Sequence, residues 1–187
     1  MRVLATGTTG GIGGAFAEAA RAAGHDVVEW NRAEFERGDA LPAGPFDAVV
    51  FATGTCPVVP VAALSDERFA ETVRVNCGLF LGVVREAVSR RLLSPDGARV
   101  VAVSSVSANE GWPGGAAYCA SKGALSAMCR ALDAELRPRG IRVSAVEPRH
   151  VKTRMFDGCA GRMGVPAGEA RDPRELAEEI LKGLERP

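Results

Sequence analysis

The sequence contains a single tyrosine, Tyr118, and only three lysines among its 23 basic residues. One of those lysines, Lys122, follows the tyrosine by four positions, so a helix places both side chains on one face. A neighbouring cation favours the phenolate and lowers a pKa that is otherwise about 10. A tyrosine tuned in this way exchanges a proton with an alcohol or carbonyl oxygen near neutral pH. Thirteen residues upstream, Ser104-Ser105 closes an apolar run, at the carboxyl edge where open α/β sheets bind their ligands.

A second chemical signal precedes the first long helical pattern. Thr6-Gly7-Thr8-Thr9-Gly10-Gly11-Ile12-Gly13-Gly14 follows an apolar strand and runs directly into that helix. Backbone N–H groups of Gly7, Thr8, Thr9, Gly11, Ile12 and Gly13 then gather at a positive helix end. Small residues let a pyrophosphate approach the main chain there. The strand expected next ends in Glu29-Trp30-Asn31-Arg32. Asn31 stands where a dinucleotide site ordinarily places an acid on the ribose 2′-hydroxyl, and Arg32 follows it. Asn31 and Arg32 together suit a 2′-phosphate, so NADP(H) is favoured over NAD(H). An exposed, solvated Arg32 is the alternative.

These residues need a scaffold, and the apolar pattern supplies one. Strands are predicted at Arg2–Thr6, Asp26–Trp30, Ala48–Thr53, Arg99–Ser104 and Ile141–Val146. Their unbroken Val/Ala/Leu character fits strands buried on both faces. Helices are predicted at Gly11–Ala23, Asp66–Leu93, Ala117–Arg137 and Pro173–Leu184. Gly24 stops the first, Ser65 caps the second, Pro138 and Gly140 close the third, and Asp172 caps the last. Residues 32–45 are too few for a further helix and strand, and Phe35–Asp39 reads either as a vestigial strand or as loop. The alternation of strands and helices predicts an α/β fold with a parallel sheet, in one domain over 1–187.

Composition narrows the function classes. The formal net charge is zero, giving no reason to expect a nucleic-acid or membrane-surface partner. No apolar run approaches the ~20 residues of a membrane helix. Five scattered cysteines without metal-ligand spacing predict reduced thiols, a cytoplasmic setting and no metal site. His150 and His25 read as loop and turn residues.

Taken in order, these residues resemble the short-chain dehydrogenase/reductase family across most of the chain. Thr6-Gly7-x-x-x-Gly11-x-Gly13 is similar to its cofactor loop, and Ala52-Thr53-Gly54 stands in the place of its Asn-Ala-Gly segment. Asn76 resembles its active-site helix asparagine, and Ser105 with Tyr118-Cys-Ala-Ser-Lys122 resembles its catalytic serine and YxxxK motif. The resemblance implies a Rossmann-type doubly wound parallel sheet with helices on both faces, shortened at the third-strand region and at the C-terminal strand. It implies Tyr118 as general acid/base and Lys122 as holder of the nicotinamide ribose and depressor of the tyrosine pKa. Ser105 would bind the substrate oxygen, and Asn76 would position a relay water. Pro148, Val151 and Thr153 would join Thr53 and Gly54 around the cofactor. Arg149 replaces the glycine that usually follows Pro148, and is expected to crowd the nicotinamide end.

The segment from Thr153 to Pro173, with Arg154, Met155, Phe156, Met163 and Val165, is expected to form a short lid over an open pocket. Glu110 and Trp112 are candidates for the same pocket wall. A homodimer is expected through the second and third helices, with Ala117, Ala120, Ala124 and Ala127 as a smooth strip. The implied activity is NADPH-dependent interconversion of a carbonyl and an alcohol. The alternatives are an NADP(H)-binding sensor or structural protein without chemistry, and an epimerase or dehydratase of the same fold.

Overall fold

The structure, a computed structural model, describes residues 1–164 and 168–185, the side chain of residue 162 excepted. Five short apolar runs pair as a parallel sheet: β1 (Arg2–Thr6), β2 (Asp26–Glu29), β3 (Ala48–Phe51), β4 (Ala98–Val103) and β5 (Ile141–Val146). The strand order is β2-β1-β3-β4-β5, with every neighbouring pair parallel. The chain leaves β1 toward one edge and returns as β3 on its other side. The ends of β1 and β3 therefore form the switch point at which such sheets bind ligands.

The central strands are apolar at successive positions because each face has its own core. Val3, Ala5, Val50, Val101 and Val103 point to one side, against Phe16 and Ala20 of α1 (Gly11–Ala22). Leu176, Ile180 and Leu184 of α8 (Pro173–Glu185) complete that layer. Leu4, Val49, Phe51, Val100 and Ala102 point to the other side. There they meet Phe80 and Val83 of α4 (Leu79–Ser89), and Leu125 and Cys129 of α5 (Ala116–Leu136). Phe51 and Phe80 pack edge to face across this layer, with centroids 5.4 Å apart. At about 25 cal/mol per Å² of apolar surface removed from water, these two layers are the main force holding the sheet.

Most expected boundaries shift by a residue or two, and two regions depart further. The helix expected over Asp66–Leu93 is α3 (Asp66–Val73), a π-turn at Arg74–Gly78, then α4, which ends at Ser89. Arg91 follows with a φ of 55°, and the turn it makes buries Leu92 and Leu93. The segment Phe35–Asp39 is neither strand nor plain loop. Arg32–Arg37 forms a short helix, α2, closed by Gly38 at φ 75°. Its first turn is held by the Glu34 carboxylate, which accepts from Asn31 N at 2.8 Å. No strand follows α2 before β3 among the described residues.

Caps occur where the sequence places them. Ser65 Oγ accepts from Arg68 N, and Asp172 Oδ1 accepts from Arg174 N. Gly24 and Gly140 adopt positive φ after α1 and after the turn that closes α5. Two short helices, α6 (Arg154–Asp157) and α7 (Ala160–Met163), precede α8. Among the described residues no helix is long and apolar enough to cross a membrane.

Candidate active site

At the switch point the glycine loop is pressed between two neighbours. A Cβ on Gly7, which has φ +69°, would lie 2.5 Å from the carbonyl carbon of Ala52. One on Gly13 would lie 2.3 Å from Gly7 O, and one on Gly11 would lie 2.4 Å from Thr153 Cγ2. Only glycine fits these positions, which leaves a bare backbone cradle beside the ends of β1 and β3. Gly10 caps α1 without a side-chain acceptor, so first-turn N–H groups face the cradle. Thr53 Oγ1 donates to Thr6 Oγ1 at 2.9 Å and fastens the two strand ends behind it.

A cleft of about 670 Å³ opens from this cradle. It is lined by Gly7, Thr9, Gly11, Ile12, Gly13 and Arg32, and by Thr53, Gly54, Pro148, Val151 and Thr153. Ser105, Tyr118 and Lys122 line it as well. Three expected site residues are placed elsewhere. Thr8 and Asn31 do not wall the cleft; they bind one another, with Asn31 Oδ1 accepting from Thr8 N at 2.8 Å. Asn76 is fully buried behind the wall. Its Oδ1 accepts from Thr55 N at 2.8 Å, and its Nδ2 donates to Thr55 O at 3.0 Å and to Ser121 Oγ at 2.8 Å. The side chain that the resemblance assigns to a relay water is therefore spent on clamping the loop after Gly54 to α5.

Tyr118, Ser105 and Lys122 are brought together. The Ser105 hydroxyl hydrogen-bonds the phenol and stabilises its ionised form, and Ser105 Oγ accepts from Ser107 N at 3.1 Å. Ser104 Oγ instead donates to Lys122 O at 3.1 Å and meets Ser126 Oγ at 2.8 Å, tying the end of β4 to α5. Lys122 Nζ donates to Val103 O at 2.8 Å and sits 5.7 Å from the Tyr118 ring centroid.

Burial pushes the lysine pKa down to about 8. The phenol moves against expectation. Burial, reinforced by Cys56, pushes its pKa upward, and Ser105 offsets that only in part. An i,i+4 ammonium lowers a phenol pKa when it approaches the oxygen, whereas here it is held by a carbonyl near the ring face.

β2 ends at Glu29, one residue before the expected Trp30. The Glu29 carboxylate accepts from Thr8 Oγ1 and Arg21, which together lower its pKa. Arg32 lines the cleft while its guanidinium binds Glu36 at 2.6 Å and Glu71 at 2.9 Å.

Met155, Phe156, Arg154 and Met163 of the expected lid all face the cleft, and Val165 lies outside the described residues. Arg149, expected to crowd the nicotinamide end, lines the cleft. Its guanidinium is held 2.9 Å from Glu110, and its side chain is 63% exposed. Trp112 and Glu110 are absent from the wall; Trp112 stands beside Tyr118, centroids 6.3 Å apart, and donates to Ser107 Oγ at 3.2 Å. His150, read as an ordinary loop residue, does line the cleft and stacks on Phe156 at 5.4 Å. Cys56, Ser107 and Cys159 also line it, and no spacing in the sequence marks them. Of the alanine strip, Ala120, Ala124 and Ala127 are exposed, while Ala117 is buried.

The family model described as short chain dehydrogenase matches residues 37–160. The 3-oxoacyl-[acyl-carrier-protein] reductase FabG of Rickettsia felis is 30% identical over 208 residues, covering 95% of this chain and 86% of that protein. A 3beta-hydroxysteroid dehydrogenase of Mediterraneibacter gnavus is 29% identical, covering 97% and 79%. Among solved structures, a 4-hydroxyisoleucine dehydrogenase complexed with NADH superposes with a TM-score of 0.81 at 19% identity, covering 96% and 89%. A Beutenbergia cavernae protein with bound NADP superposes with a TM-score of 0.81 at 25% identity, covering 96% and 87%.

Proposed function

This chain belongs to the short-chain dehydrogenase family, and within it we propose a reductase that converts a carbonyl to an alcohol with NADPH, with Tyr118 delivering the proton. The observation that carries the reading is the convergence of Tyr118, Ser105 and Lys122 on a cleft that the glycine loop also lines. A bound nicotinamide dinucleotide would supply the hydride. The cradle suits its pyrophosphate because glycines let the loop pack flush against Ala52, Thr153 and its own backbone while the first-turn N–H groups of α1 have no side-chain cap.

The raised phenol pKa suits the reductive direction. Near neutral pH Tyr118 keeps its proton and can give it to a carbonyl oxygen as negative charge develops there. Ser105 then holds the substrate oxygen and steadies the phenolate left behind. Lys122, with a pKa of about 8, remains an ammonium at neutral pH and lends positive charge beneath the ring.

Preference for NADPH is supported by Arg32 at the cleft wall next to Asn31. Its ion pairs with Glu36 and Glu71 are exposed, worth about 0–1 kcal/mol each, so a 2′-phosphate can draw the guanidinium away. The rest of the wall agrees: Arg149, Lys152 and Arg154 line it, and among the described residues no Asp or Glu does. Phe69 of α3 and Leu81 of α4, about 40% exposed, and the exposed Ala120, Ala124 and Ala127 of α5 support a homodimer. The test is consumption of NADPH with a panel of ketones and aldehydes, comparing the native chain with Tyr118→Phe. Native turnover that falls about a hundredfold or more in the variant supports the reading. Turnover that survives the substitution removes Tyr118 from it.

A further inference from the structure

Trp112 does not line the cleft, yet it reaches both elements that carry the proposed chemistry. One of them is the turn that holds Ser105. Ser105 caps a single 3-10 turn, Val106–Ala108, and its Oγ accepts from Ser107 N at 3.1 Å. Ser107 is buried, and its own Oγ accepts from Trp112 Nε1 at 3.2 Å. A hydroxyl has one hydrogen and two lone pairs. With Ser107 N–H on one lone pair, Ser105 keeps its hydrogen and its second lone pair for a ligand in the cleft.

The other element is the first turn of α5, which carries Tyr118. The Trp112 and Tyr118 rings lie with centroids 6.3 Å apart and planes tilted by 53°, within the range of an aromatic pair. The turn between them is closed by Gly115 N, which donates to Trp112 O at 3.0 Å, and Cys119 N then donates to Gly115 O at 2.8 Å as α5 begins. Val59 N donates to Gly114 O at 2.9 Å and holds this turn against the loop after β3. The indole lies flat on Gly115, where a Cβ would stand 2.6 Å from Trp112 Cε2. Gly115 has a φ of −90°, open to any residue, so glycine is required there by the ring and not by the backbone.

From this geometry we propose that Trp112 is a positioning residue, which sets Ser105 and Tyr118 against one substrate oxygen by fastening the Ser105 turn to the first turn of α5. The proposal rests on the reductase reading. Ser104 fastens the end of β4 to α5 at Lys122 O, and the indole does the same for the turn beyond it. Trp112 gives the reaction no proton and no charge. It fixes the separation of hydroxyl and phenol, and a misplacement of about 1 Å between reacting groups costs about a hundredfold in rate.

The experiment compares steady-state reduction by the native chain, Trp112→Phe, Ser107→Ala, their double variant and Gly115→Ala. Trp112→Phe keeps an aromatic ring and loses the N–H. Its kcat should fall about tenfold, with KM and the calorimetric NADPH Kd within about twofold of native. The double variant should turn over within about twofold of Trp112→Phe, because both changes remove one bond. Gly115→Ala alters no polar group and puts a methyl where the indole lies, and it should reproduce the fall. Native kcat in both Trp112→Phe and Gly115→Ala overturns the proposal, as does a fully additive double variant or a rise in KM alone. A native chain that reduces no carbonyl defeats the reductase reading separately, and NMR then decides the positioning. Tyr118 is the one tyrosine in the sequence, so its labelled ring gives a single set of signals. Ser107→Ala, which takes the acceptor from the indole, should shift those signals; signals that stay in place overturn the proposal.

Discussion

Replacing Lys122 with methionine should change stability in a way that depends on pH, and the slope carries the information. Lys122 is 5% exposed, and its pKa is drawn from the ordinary 10.5 down to about 8 by burial. At 1.36 kcal/mol per pH unit, keeping it charged inside the fold costs about 3 kcal/mol. Between pH 8 and 10.5 the unfolded chain binds the proton and the folded chain does not. Stability from this group therefore rises with pH across that window, and the full penalty is present below it.

Lys122→Met removes the penalty but leaves Val103 O without its donor, a loss of about 1–3 kcal/mol that does not vary with pH. Near pH 6.5 the two proteins should accordingly melt at similar temperatures, with the variant equal or higher. Raising the pH to 10.5 should move the balance toward the native chain by about 3 kcal/mol, or roughly 6–12 °C for a chain of this size. Tyr118, Cys77, Cys129 and Cys119, whose pKa values burial raises, lower the stability of both proteins at high pH; they cancel in the difference except for the part of the Cys77 and Cys129 shifts that the Lys122 charge offsets. Thermal unfolding of both proteins over this pH range is the assay. A melting difference that stays flat from pH 6.5 to 10.5 would refute a burial-depressed lysine.

Other substitutions test separate parts of the site. Gly11→Ala places a methyl 2.4 Å from Thr153 Cγ2, displacing a side chain whose Oγ1 caps α6 through Phe156 N. The expected loss is about 1–3 kcal/mol, together with weaker NADPH binding by calorimetry. Gly82→Ala, in α4 with nothing within 4 Å of its new methyl, should instead gain up to about 1 kcal/mol in denaturant unfolding. Asn76→Ala should cost about 2–4 kcal/mol and loosen the Gly54–Cys56 loop, seen as faster amide exchange at Thr55, whose N–H loses its acceptor. Asp133, held at a pKa of about 2 chiefly by Arg137 and also by Val143 N, stabilises the fold above its ordinary value of 3.8. That contribution should vanish as pH falls toward 2, and in Asp133→Asn the acid limb of the stability profile should flatten.

The sheet was readable in the sequence because burial on both faces writes unbroken apolar runs, as in Ala48–Phe51, and because Gly24, Ser65 and Asp172 sit at real termini. What periodicity does not encode was missed. The π-turn around Asn76 keeps the helical pattern of apolar residues while shifting the backbone register, so one long helix was expected in place of two. α2 was hidden because six residues give too little periodicity, and its stability comes from the Asn31–Glu34 cap and the Trp30–Phe35 contact.

In the site, the order of motifs located Tyr118, Lys122, Ser105 and the glycine loop. Spacing along the chain could not tell that the Lys122 ammonium reaches a carbonyl, or that Asn76 turns its amide to Thr55.

The most direct test of the central claim is a calorimetric titration of the purified chain with NADPH and with NADH, repeated on Arg32→Ala. The account predicts NADPH binding with a Kd on the order of micromolar, about −8 kcal/mol. NADH should bind at least about tenfold more weakly, and Arg32→Ala should erase most of that difference. Binding of neither nucleotide would contradict a cofactor cradle at Gly7–Gly13 and, with it, the reductase itself.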